Sequence, residues 1–213
     1  MKKLIALIIC ITLSATLVGC GCSNSDDANL PDDKKVAVKV DGNEIFLDEA
    51  KYYAYSSQAT YEVYYISNGE EIDWNEKLEE GTWEQVVKGK VLDDICRREC
   101  FYEKKDEYNV SLDDEAKEEI EKKVKNYYSQ TSDNLKKKIG IKKKRLRQVF
   151  EKEYLSQKVE DIMNAEEKDS SGDYYKKWSE DVSVKCEKCW SDINFDDNVF
   201  TLQDAEIGIT ESK

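Results

Sequence analysis

Hydrophobic positions along the chain change period several times, and each change marks an element. Val36-Ala37-Val38-Lys39-Val40 alternates with the two-residue period of a strand. Asp41-Gly42-Asn43 then supplies turn chemistry, because Gly tolerates positive φ and Asp and Asn bond to their own backbone. Ile45-Phe46 gives a short second strand. At Leu47 the period lengthens: Leu47, Ala50, Ala54, Ser57, Tyr61 and Tyr65 fall on one helical stripe. Asp48 is placed to cap that helix, with Glu49 in its first turn.

The middle of the chain reads as helices throughout. Thr82 is an N-cap residue with Gln85 at the capping-box position, and Trp83, Val87, Val91, Ile95 and Tyr102 mark a stripe reaching to near Tyr108. Gly89 lies inside that helix, where a close helix crossing would account for it. Ser111-Leu112-Asp113-Asp114 is a second start signal, ahead of Ala116, Ile120, Val124 and Tyr127. Ser132 or Asp133 starts a short helix that Gly140 stops. A last long helix runs from about Lys142 to Met163, with Leu146, Val149, Phe150, Tyr154, Val159 and Ile162 on its apolar side. Val182-Ser183-Val184-Lys185-Cys186 alternates as a strand.

The first residues have a different purpose. Lys2 and Lys3 precede an apolar run from Leu4 to Leu17 that is short for a membrane span and ends in Leu17-Val18-Gly19-Cys20. A small residue before Cys, with Leu three places before it, matches a bacterial lipoprotein signal. Residues 1–19 are therefore expected to be a signal peptide and Cys20 the lipid acceptor, which places the protein on the extracytoplasmic face of a cell membrane. Residues 20–35 are polar and acidic, hold the chain's one Pro, and read as a flexible tether. The folded domain is expected over 36–200, with an acidic tail over 201–213.

Net charge is −13, from 33 basic and 46 acidic side chains, so nucleic acid is repelled and attachment to a membrane falls to the acyl anchor. The chain contains no His, which removes Ser-His-Asp and Cys-His mechanisms and His-bearing zinc sites. Its nine glycines are scattered rather than gathered into a phosphate loop. No enzyme is expected.

The opening VAVKVDGNEIFLDEAKYYAY resembles the entry to the N-terminal domain of SurA/PrsA-type foldases, in which a V-x-V-N-G-x-x-I hairpin runs into a helix. Val38, Val40, Gly42, Ile45 and Glu49 match that pattern, and Asp41 departs from its usual Asn. The stretch from Thr82 to Val124 is similar to the family's long second helix and the helix start after it. IGIKKKRLRQVFEKEYLSQKVEDIM is similar to the helix that precedes its parvulin isomerase domain. Here only a short polar linker separates Met163 from Asp173, and Asp173 to Trp178 looks like the family's closing helix. The resemblance implies a mostly α (α+β) long-helix chaperone domain without its isomerase, whose closing strand pairs with the Val36 strand in a small antiparallel sheet. It also implies unfolded or secreted polypeptides as partners, held in an apolar cleft between the long helices. A surface lipoprotein that binds one specific envelope partner, or serves a structural role, is the alternative.

Three groups of side chains are candidates for chemistry. Cys96 and Cys100 stand at i, i+4 on one helix, and Cys186 and Cys189 form a C-x-x-C near the closing strand. Outside the cytosol these suit disulfides between the two elements; a four-thiolate zinc site and free thiols remain open. Tyr52, Tyr55 and Tyr64 lie off the apolar stripe and, with Trp83, offer rings to extended peptide. Lys136 to Arg147 holds eight basic residues, either a solvated helix end or a dock for anionic polymer.

Overall fold

The structure, a computed structural model, describes residues 30–165 and 171–200. The expected signal peptide, the acceptor Cys20, most of the tether and the tail 201–213 lie outside the described residues. Among those described, no helix is long and apolar enough to cross a membrane.

The chain is mostly helical with a small antiparallel sheet, as expected. Strand β1 (Val36–Val40) turns through Asp41 and Gly42 into β2 (Asn43–Phe46), and both turn residues have positive φ (48° and 88°). Two successive positive φ values match the right-handed twist of the flanking strands, which is why Asp-Gly suits this hairpin. On its other edge β1 pairs with β5 (Val184–Cys186), with Val38 opposite Cys186 and Val40 opposite Val184. The two ends of the domain therefore meet in one sheet. Ala37, Val38, Val40 and Ile45 are fully buried there.

Seven helices follow from the described residues. Helix α1 (Leu47–Ser67) leads to a tight hairpin of β3 (Lys77–Leu78) and β4 (Gly81–Thr82), then to α2 (Trp83–Glu103). The expected capping box is formed: Gln85 N–H donates to Thr82 Oγ1 (3.3 Å) and Thr82 N–H donates to Gln85 Oε1 (2.9 Å). Helix α3 (Asp114–Gln130) is capped by Asp113, which accepts from Ala116 N–H (2.7 Å). Helix α4 (Asp133–Ile139) is capped by Ser132 and stopped by Gly140 at φ 71°. Helix α5 (Lys143–Ala165) packs between α2 and α3, and α6 (Ser171–Asp181) lies against α2 and α5. A short α7 (Lys188–Ser191) follows β5.

Four expectations change. Asp48 is not a cap: α1 begins one residue earlier, and Asp48 sits inside its first turn, 1% exposed, accepting from Glu49 N–H (2.9 Å) and facing Arg145. Helix α2 ends at Glu103 because the charged run after it has no apolar period; Asn109 (φ 54°) and a Val110 N–H to Lys105 carbonyl bond close the turn instead. Gly89 is exposed and has nothing within 4 Å of where a Cβ would stand, so no helix crossing explains it. The compact unit begins at Pro31 rather than Val36. Asp32–Lys34 form a 3-10 turn in which Asp32 pairs with Lys51 (2.6 Å) and Asp33 with Lys142 (2.7 Å).

After α7 the chain runs without regular structure, yet Ile193, Phe195 and Val199 are buried. This segment covers one side of α1. Phe195 meets Trp74 at 4.8 Å and Tyr55 at 6.2 Å between ring centroids, and its N–H donates to Glu84.

Candidate functional site

The off-stripe rings of α1 have different fates. Tyr55 is 6% exposed, covered by Phe195 and with Lys138 Nζ 4.6 Å from its ring centroid. It is corrected from a peptide-gripping ring to a core ring. The reason is the 193–200 segment, which has no helical or strand period that would announce it as a cover. Tyr52 is half-buried among Tyr53, Tyr127 and Phe150, with edge contacts of 5.4 to 6.0 Å, and burial raises its phenol. It too is packed and offers little to a client.

Tyr64 remains outside. It is 66% exposed and the adjacent Val63 is 51% exposed, and these are the exposed large hydrophobics of the compact unit among the described residues. Behind them stands a ladder of half-buried rings. Tyr64 meets Tyr65 (5.8 Å), Tyr65 meets Trp83 (6.1 Å), Trp83 meets Tyr61 (6.0 Å) and Tyr61 meets the buried Trp74 (6.3 Å). The last two turns of α1 and the first turn of α2 thus build one aromatic rim. Tyr64 and Trp83 belong to it; Val63 was not foreseen, although it too lies off the α1 stripe.

The rim is fastened from beneath by Glu62, which is 1% exposed. Its Oε1 accepts from Gln58 Nε2 (2.7 Å) and Trp74 Nε1 (3.1 Å), and its Oε2 accepts from the N–H groups of Val199 and Phe200 (2.8 Å each). Burial raises the carboxyl, and the four donors oppose that shift. Glu62 was missed in the sequence. Its one signal is Gln58, four residues before it on the same helix face.

Among the described residues, the space that α2 and α5 leave between them is not the expected apolar cleft: it is lined mainly by charged and polar side chains, Arg97, Arg98, Glu153 and Glu160 among them. Elsewhere helices α2 and α5 pack directly on each other, and Val91, Ile95 and Val159 on them are buried. Below them lies a buried ionic group in which Lys152 bonds Glu99 and stands 3.8 Å from Glu49. Burial works against the Lys152 charge, but Glu49 and Glu99 outweigh it and its ammonium is raised; burial raises the Glu49 carboxyl.

All four described cysteines are free thiols, so the expected bridges between α2 and the closing strand are absent. Cys96 and Cys100 are buried, and burial pushes both thiols up to about 12, away from the thiolate that metal binding or nucleophilic attack requires. Cys186 is exposed, and Cys189 Sγ approaches the Val36 carbonyl (3.1 Å). No group of three or more Cys, Asp or Glu that could hold a metal exists among the described residues, so the zinc alternative has no site there.

The basic run is largely used internally. Lys136 pairs with Asp133, Lys142 with Asp33, and Arg147 with Glu121. Lys138 donates to the Asp197 carbonyl (2.8 Å), and Arg145 lies over the Phe46 ring (4.4 Å). These contacts tie the 3-10 turn, β2, α3 and the 193–200 segment to α4, α5 and the link between them. Comparison of the chain with protein-family models, with curated proteins and with solved structures gives no match.

Proposed function

We propose that the protein is a lipid-anchored, extracytoplasmic holding chaperone that grips extended polypeptide at the aromatic rim, without covalent chemistry. The observation that carries this reading is the exposure of Val63 and Tyr64 on a ladder of half-buried rings. A fixed ring platform offers apolar area with little side-chain entropy to lose, and Tyr hydroxyls add hydrogen bonds that do not depend on a client's sequence. The net charge of −13 keeps such a platform soluble. Anchoring at Cys20 would place it beside chains emerging from the membrane.

The test is suppression of aggregation of a reduced, unfolded protein by the purified chain, together with a prolyl-isomerisation assay. Suppression without isomerase activity is the expected result. The double variant Val63→Ser, Tyr64→Ser, at positions more than half exposed, should keep the wild-type melting temperature and lose most of the suppression. No suppression by the wild type at molar excess overturns the reading.

A further inference from the structure

The stretch that follows α1 sets the charge around the rim. Between Asn68 and Gly81 the chain carries six acidic residues, Glu70, Glu71, Asp73, Glu76, Glu79 and Glu80, against one Lys, Lys77. All six are exposed. Two of them are fixed next to rim rings by their backbone. Glu70 N–H donates to the Tyr65 carbonyl (3.1 Å), and the Glu76 carbonyl accepts from Trp83 N–H (3.2 Å). Burial raises the Tyr65 phenol, and the carboxylates of Glu76 and Glu70 raise it further, so both charges act on a rim ring. Glu84, in the first turn of α2, pairs with Lys88 (3.5 Å), whereas among the described residues Glu70, Glu76, Glu79 and Glu80 have no ion-pair partner.

Exposed rings beside unpaired carboxylates favour one kind of occupant. An ammonium or guanidinium is attracted to the face of a Tyr or Trp ring and to a carboxylate at once. The ladder already accepts one such cation: Lys90 Nζ stands 5.9 Å from the Tyr61 ring centroid and donates to its hydroxyl (3.2 Å). An acidic segment would be repelled by this collar, and so would anionic lipid headgroups. A neutral apolar segment would gain ring contact alone.

We infer that the rim selects basic client segments, extended polypeptide in which Arg or Lys alternates with apolar residues. The apolar side chains lie on Val63 and Tyr64, and the cations reach Glu70 and Glu76 beside Tyr65 and Trp83. Arg is preferred to Lys, because its planar guanidinium stacks on a ring and bonds a carboxylate with two N–H groups. This inference rests on the rim being the holding surface.

Calorimetric titration of the purified full chain with three unstructured peptides of one length tests it. All three share the same Leu and Phe positions, and the intervening positions are Arg, Gln or Glu. The Arg peptide should bind roughly tenfold more tightly than the Gln peptide at low salt, and the Glu peptide more weakly than either. The margin between Arg and Gln should shrink as salt is added. Glu70→Gln combined with Glu76→Gln should cut that margin to roughly threefold or less. Glu115→Gln combined with Glu118→Gln, which removes the same charge from exposed positions of α3, should leave the margin at its wild-type value. Equal binding of the Arg and Gln peptides, lost in the Val63→Ser, Tyr64→Ser variant, overturns the charge selection and leaves the holding surface standing. A margin that survives Glu70→Gln with Glu76→Gln also overturns it, by assigning the preference to net charge at large. Binding of none of the peptides overturns both readings, and self-association that the Ser variant abolishes would then give the rim to a second copy of the chain.

Discussion

The buried carboxylate of Glu62 accepts a hydrogen bond from the indole Nε1 of Trp74 at 3.1 Å, which ties the end of α1 to the segment leading into the β3–β4 hairpin. The same carboxylate receives the N–H groups of Val199 and Phe200, 137 and 138 residues further along the chain. Glu62→Ala leaves these buried donors unpaired. Stability should fall by roughly 3 kcal/mol in urea unfolding, given about 1–3 kcal/mol for each orphaned group and some relaxation. Amide exchange at Val199 and Phe200 should accelerate more than exchange in β1. Unchanged protection at those two amides would show that the 193–200 segment is fastened by other means.

Gly89 lies in the interior of α2, exposed and with open space where a Cβ would stand. Gly→Ala there removes backbone freedom from the unfolded chain and adds no clash. Gly89→Ala should stabilise the protein by about 1 kcal/mol, seen as a higher denaturation midpoint at unchanged slope. A destabilised variant would mean that a partner surface approaches α2 at this position.

Glu49 is 5% exposed, and burial raises its carboxyl above the ordinary value of 4.5. The native state therefore holds a proton at pH values where the unfolded chain has released it. Stability from this group is fully present below about 4.5 and is lost as pH rises through the raised folded value. Glu49→Gln removes that loss. The melting temperature of the variant should gain on the wild type as pH rises above about 4.5, and a difference that stays constant with rising pH would remove Glu49 as the source.

The cysteines differ in access. Cys186 is exposed, whereas Cys96 and Cys100 are buried with thiols raised to about 12. Brief alkylation of the native protein followed by peptide mapping should label Cys186, with Cys96 and Cys100 labelled only after unfolding. Protection of Cys186 that is lifted only by reductant would reveal a disulfide.

Packing by the C-terminal segment decided several residues whose local surroundings said little. Phe195→Ala should uncover Tyr55 and Trp74 together and cost about 3–5 kcal/mol. Tryptophan emission should shift to the red at the same time. Emission that stays blue would mean that Trp74 is shielded without Phe195.

The chain's short-range chemistry was legible residue by residue. Asp41-Gly42 dictated the hairpin, Thr82 with Gln85 the start of α2, the stretch from Ser111 to Asp114 and the pair Ser132-Asp133 two further helix starts, and Gly140 a helix stop, because each depends only on neighbours a few bonds away; the structure picks Asp113 and Ser132 as the caps. The alternation at Val36 and at Val182 announced both strands, which pair in the structure as expected. Tertiary structure alone decided which rings stay outside. Tyr55 and Tyr64 are the same residue type on one helix, yet Tyr55 is sealed by an aperiodic segment some 140 residues away and Tyr64 is not. The partnerless Tyr53 hydroxyl and Arg98 Nη1 are likewise products of how α1 and α2 meet, since hydrogen-bond satisfaction depends on separation in space and not in sequence.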